Sequence, residues 1–144
     1  MGLPLLLKLI TLRNVHPILT HVSNGLTPAA LLFALLSLFY DVKCLSEASY
    51  YMAFFVALIT PITMLTGVVD WKYRYEFRSV PAINKKIVTA VLGYAFLLFY
   101  LLSKSVLLLS LVLVFFAITG EYGGRLVHGA ANLALVKKYE KKRI

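Results

Sequence analysis

Long apolar stretches, separated by short polar ones, set the organisation of the chain. They run over about residues 22–40, 48–69, 87–102 and 105–128. The first could start as early as Pro17, and the second carries no charge. A bilayer core takes about 20 mostly apolar helical residues. The third stretch is short, and the fourth is continuously apolar only to Ile118, so their flanks must enter the interface. No stretch alternates with period two, and Leu and Ala dominate, so helices are predicted rather than strands. The pattern predicts one all-α integral membrane domain over residues 1–144, a four-transmembrane-helix bundle.

Composition supports this. Of the 144 residues, 60% are hydrophobic and 15% charged. Soluble domains are roughly 45–50% apolar and about a quarter charged, and disorder requires low hydrophobicity. Both classes are excluded. Net charge is +9, and the topology gives it an address. The N-terminal region, the loop 70–86 and the C-terminus share one side of the membrane. The turns at 41–47 and 103–105 share the other. Lys43 and Lys104 balance Asp41 and Glu47 on the second side, so the whole excess lies on the first. The positive-inside rule then predicts a multi-pass plasma-membrane protein with both termini cytoplasmic. Aromatic belts agree, with Trp71, Tyr73, Tyr75 and Tyr122 at the basic boundary and Tyr40, Tyr50, Tyr51 and Tyr100 at the other. The start of the chain reads as a short interfacial segment, not a signal peptide. The basic tail 137–144 reads as topogenic, and no soluble reader of nucleic acid accompanies it. The single cysteine, Cys44, excludes an intramolecular disulfide.

Two prolines interrupt spans, Pro28 in the first and Pro61 in the second. Thr60, Thr63 and Thr66 surround the latter and could return hydrogen bonds to freed carbonyls. The interruptions predict packing kinks or an opening for a ligand. Three local patterns gather at the basic ends of the helices: His16-Pro17-x-x-x-His21, Thr66-Gly67-x-x-Asp70-Trp71 and Thr119-Gly120-x-x-Gly123-Gly124. Asn84 opens the third helix at the same end. The Leu65-Thr66-Gly67 and Ile118-Thr119-Gly120 matches suggest a duplicated helical hairpin about an axis along the membrane normal. Small residues there would also let helices approach closely.

These motifs in this order resemble a family of small four-helix membrane domains of unknown function. That family is marked by an HP-x-x-x-H start, a TG-x-x-DW end to helix two and a TG-x-x-GG end to helix four. The likeness runs from about His16 to His128. Val80 stands where family members usually carry a histidine. The resemblance implies redox company, because related domains occur beside cytochrome c modules.

All three histidines, His16, His21 and His128, fall toward the basic face with Asp70 and Glu121. Neutral imidazole ligates haem iron, and four-helix bundles build cofactor sites from facing helices. At about 1.5 Å per residue, His16 with His128 matches best in depth, and His21 with His128 comes second. His16 and His21 are about 140° apart around a helix, so they form no i, i+4 clamp. The first expectation is a small subunit of a respiratory or other redox membrane complex. It would bind haem b through these histidines, or lie beside a quinone at its cytoplasmic end. Asp70, Glu121 and Asn84 would orient the group or accept protons. Asp70 could instead pair with a neighbouring helix end, through Lys72, Arg74 or Arg125. A non-catalytic assembly subunit packed on other membrane proteins is the second expectation, and a small transporter or channel unit the third. No hydrolase or transferase constellation is visible.

Overall fold

A computed structural model describes residues 15–40, 42–77 and 81–128, without the side chains of 74, 75, 127 and 128. The predicted N-terminal interfacial segment, Val80 and the tail 137–144 lie outside the described residues. Four helices follow one another: α1 Val15–Tyr40, α2 Lys43–Tyr75, α3 Pro81–Ser103 and α4 Val106–His128. All four are long and apolar enough to cross a membrane. α1, α2 and α3 extend beyond their apolar stretches, α2 by several residues at both ends, and α4 matches the fourth to within a residue. A helix keeps its backbone bonds satisfied as it leaves the hydrocarbon, and polar side chains suit the interface it enters.

The helices form an up-down-up-down ring. The hairpins α1/α2 and α3/α4 are tightly paired, and α1 also meets α4 while α2 meets α3. No backbone contact crosses the diagonals between described residues. The inward positions recur at alternating intervals of three and four, the spacing of a left-handed supercoiled seam. On α1 the seam runs His16, Thr20, Ser23, Thr27, Ala30, Ala34. On α2 it is Ser49, Ala53, Val56, Thr60, Thr63, Gly67, Asp70. Those of α3 and α4 are Ile83, Lys86, Ala90, Gly93, Leu97, Tyr100 and Leu109, Val112, Phe116, Thr119, Gly123, Leu126.

The seams divide the interior into halves. Toward the neutral end, Ala30, Ala34, Ala53, Val56, Leu97, Leu109, Val112 and Phe116 make a buried apolar core. Toward the basic end the interior turns polar, with Ser23, Thr27, Thr60, Thr63 and Thr66 all buried. The outer surface is the apolar one, carrying Leu32, Phe55, Leu65, Val91, Phe99 and Leu107. This inversion suits lipid, where exposed apolar side chains lose nothing and interior small or polar groups join helices.

Pro28 and Pro61 sit inside unbroken helices. The threonines around Pro61 do not serve the carbonyl it frees, that of Ala57. Thr60 Oγ1 donates to Val56 O at 2.7 Å, Thr63 Oγ1 to Ile59 O at 3.1 Å, and Thr66 Oγ1 to Thr63 O at 2.9 Å. Hydroxyls in a helix reach back three or four residues along their own face, which sets those partners.

Two closures bear on function. At the basic end α2 stops on two left-handed residues, Glu76 (φ 50) and Phe77 (φ 55). Their N–H groups donate to Lys72 O and Trp71 O, and the Phe77 ring meets Trp71 edge-on at 5.1 Å. At the neutral end Lys104 is left-handed (φ 54) and donates its N–H to Tyr100 O at 2.7 Å. Ser105 N–H caps back to Ser103 Oγ at 3.3 Å, which makes the tight turn expected at 103–105.

Candidate polar site at the basic end

The polar half of the interior converges on His16. Its Nδ1 lies 2.9 Å from Thr63 O and 3.3 Å from Thr66 Oγ1. A carbonyl can only accept, so Nδ1 carries the proton and donates. That leaves the Nε2 lone pair as an acceptor, and Lys86 Nζ donates to it at 3.0 Å. The bond crosses the bundle from α3 to α1, a diagonal along which the backbones do not touch. Asp70 on α2 lies within electrostatic reach of the Lys86 ammonium. On α4, Gly123 brings bare backbone alongside: a Cβ there would stand 3.6 Å from Nζ. Lys86 is thus addressed by each of the other three helices.

Local sequence explains each placement. Pro17 follows His16 near the α1 start, where its missing N–H is one of the unpaired donors of a first turn anyway. Gly67 lets α1 come close, because a Cβ there would lie 3.0 Å from the His16 Cε1. We expect Gly67→Ala to push the ring off its partners and to cost about 1 kcal/mol, read as a lower midpoint in detergent unfolding. Gly120 is the α4 counterpart, with a Cβ position 3.3 Å from the Asn24 amide. Thr119 Oγ1 lies 2.8 Å from Thr89 Oγ1. Each threonine-glycine pair therefore faces α1 or its own hairpin partner, and the motifs act first as close-packing devices.

The other sequence-predicted residues separate from this cluster. His21 is exposed on α1, as its 140° offset from His16 requires. Glu121 is exposed and pairs with Arg125 one turn on, so it neither orients His16 nor faces the interior. Asn84 is exposed at the α3 start. His128 is the last residue of α4, and its side chain lies outside the described residues. Asp70 lies within electrostatic reach of Lys86, a partner the sequence reading did not name.

Of the three expected ligands, only His16 and His21 have described side chains, and they do not face one another. Both ring nitrogens of His16 are engaged, and His21 points away from the bundle interior. Among the described residues no three of His, Cys, Asp and Glu converge as a metal-ligand group. The residue that sequence reasoning missed is Lys86. Helical spacing could have found it, since it shares a seam with Ile83, Ala90 and Gly93 while Lys85 does not. Lys85 instead lies outside, 5.8 Å from the Tyr122 ring centroid.

The fold and this cluster define a class: a four-span membrane bundle whose buried polar groups gather mainly toward the basic end. Among known proteins the chain is 53% identical over 95 residues to an uncharacterized protein of Archaeoglobus fulgidus, covering 62% of this chain and 85% of that one. The chain belongs to the same family as that protein. No family model matches the chain, and no solved structure matches it.

Proposed function

We propose that this protein is a small subunit of a redox membrane assembly whose basic end receives a quinone headgroup. The observation that carries the reading is Lys86. Lysines near helix ends ordinarily extend toward the interface, whereas this one turns inward onto His16. An ionisable group inside a membrane bundle is a functional candidate by default. An ammonium has three donors, and His16 uses one. Gly123 keeps the α4 side of the ammonium free of any side chain, and a carbonyl oxygen is the kind of acceptor the remaining donors take.

A quinone bound there would carry two electrons and two protons between partner subunits. The chain's own part is to hold and supply protons. Lys86 Nζ would donate to a headgroup oxygen. His16, fixed through Nδ1 by Thr63 O, keeps the ammonium aimed and can accept a proton at Nε2. Asp70 lies at the boundary, where it can exchange protons with water. The resemblance to domains found beside cytochrome c modules supports the same reading. Solvent extraction of the protein purified in mild detergent tests it. A quinone recovered near stoichiometrically supports it, and an extract without quinone from quinone-rich membranes removes it.

A second reading has an observation of its own. His16 is bonded through both ring nitrogens, to Thr63, Thr66 and Lys86, which is also what a structural clasp in an assembly subunit would show. The two readings differ in what loss of Lys86 does to stability.

The orientation belongs to the same proposal: plasma membrane, with the basic end and both termini cytoplasmic. Cys44, the single cysteine, is exposed at the opposite end. An impermeant maleimide should therefore label it in intact cells. Labelling only after the membrane is opened would reverse the orientation.

A further inference from the structure

We propose that the neutral end of the bundle carries a second site, a cleft that takes a zwitterion bearing a phosphate and an ammonium. The cleft has a volume of about 280 Å³ and lies where the α1/α2 turn meets the α3/α4 turn. Sites for drug-sized ligands run from about 300 to 1,000 Å³. This one suits a headgroup and little more.

Its chemistry is two-signed. Lys104 comes from the α3/α4 turn and Glu47 from the start of α2, and both line the cleft. The turn that holds Lys104 is fixed by its left-handed backbone and its 2.7 Å bond to Tyr100 O. Its ammonium lies 4.9 Å from the Tyr50 ring centroid. An aromatic face attracts a cation and covers only one side of the ammonium, so N–H groups of Lys104 stay available to an anion. Glu47 is 3.6 Å from Lys43, whose side chain is 88% exposed. Such an exposed pair adds little and yields readily to a better-placed ammonium. The floor is built: Ser49 and Tyr100 are buried, with their hydroxyls 2.9 Å apart.

Location narrows the occupant. The surrounding tyrosines form the aromatic belt at headgroup depth. Leu38 and Tyr51 on the wall are both 67% exposed, so the cleft opens sideways toward lipid. The same zwitterion could also come from solution as a free phosphodiester. This site shares no residue with the quinone proposal and lies at the other end, so either can fail alone.

The test uses the full chain in nanodiscs with equal phosphatidylethanolamine and phosphatidylglycerol. The protein is then released and weighed by native mass spectrometry. Phosphatidylethanolamine adducts should exceed the other by several-fold. Lys104→Gln and Glu47→Gln should each erase the preference. Lys104→Arg should keep it, which separates charge from turn geometry, and Lys72→Gln at the opposite end should leave it intact. Soluble glycerophosphoethanolamine distinguishes the sources. Displacement of the adducts shows that the free zwitterion is accepted, and persistence shows that the lipid is required. Equal retention of the two lipids overturns the proposal. A preference unchanged in both Lys104→Gln and Glu47→Gln does so too.

Discussion

Lys86→Met should lose bound quinone while the protein stays folded at least as well as the native chain. The methionine keeps the length of the side chain and removes its charge. A hydrogen bond from a charged donor contributes about 1.5–3 kcal/mol, so affinity should fall roughly tenfold to a hundredfold. Stability moves the other way. The effective desolvation penalty of a buried ion is several kcal/mol. The bond lost at His16 Nε2 costs only about 1–3 kcal/mol, and the lost attraction to Asp70 is smaller than the desolvation penalty. Removal of the charge therefore outweighs removal of the bond. A structural clasp predicts the opposite pair of results, with a clear drop in unfolding midpoint and unchanged quinone content. Quinone extraction and a detergent unfolding curve on one preparation give both numbers.

Gly93→Leu should be the most disruptive single change in the bundle. At Gly93 a Cβ would stand 2.8 Å from Phe116 Cδ1 and Cε1 and 3.1 Å from Phe115 Cβ. Phe116 is buried, 6% exposed, within the apolar core. Phe115 Cβ is tied to the backbone, and its ring stacks on Phe96 at 5.3 Å. Neither neighbour can yield. Even Gly93→Ala should cost about 1–3 kcal/mol by overpacking. Leucine adds three more carbons to the same contact and should force α3 away from α4. Lys86 lies seven residues, or about two turns, earlier on the same seam, so quinone binding should weaken in step. Unfolding curves of the two variants, with native quinone content as the second readout, check this.

The spans were legible because each is a long apolar run. The inward faces were harder to see. In a soluble bundle the buried stripe stands out as apolar against a polar surface. Here Leu65, Phe99 and Leu107 face outward while Thr27, Thr60 and Thr63 face inward, so the usual contrast is reversed. The seam residues still recur at three and four. Read for polarity rather than apolarity, that spacing joins His16 to Ser23 and Thr27, and Lys86 to Gly93 and Leu97. The site was half legible for the same reason. His16, Asp70 and Gly67 were found from their motifs. His21 and Glu121 were drawn in by position along the chain, although their angular positions put them outside. Lys86 was hidden by its neighbour Lys85, since two adjacent lysines at a helix start read as interfacial charge. The headgroup cleft had no motif at all, because its walls come from two turns about 60 residues apart in the chain.

Trp71 makes the central claim directly measurable. It is the single tryptophan, it adjoins Asp70, and the α2 closure through Phe77 holds it at the basic end. A quinone bound beside Lys86 lies within quenching range of that indole. Titration of the quinone-free protein in nanodiscs with a short-chain quinone should give saturable quenching of Trp71 fluorescence. In Lys86→Met the curve should shift to higher concentration by roughly tenfold or more, in line with the lost charged hydrogen bond. Quenching that stays linear, or a saturable curve identical in the native protein and Lys86→Met, would contradict a quinone site at Lys86.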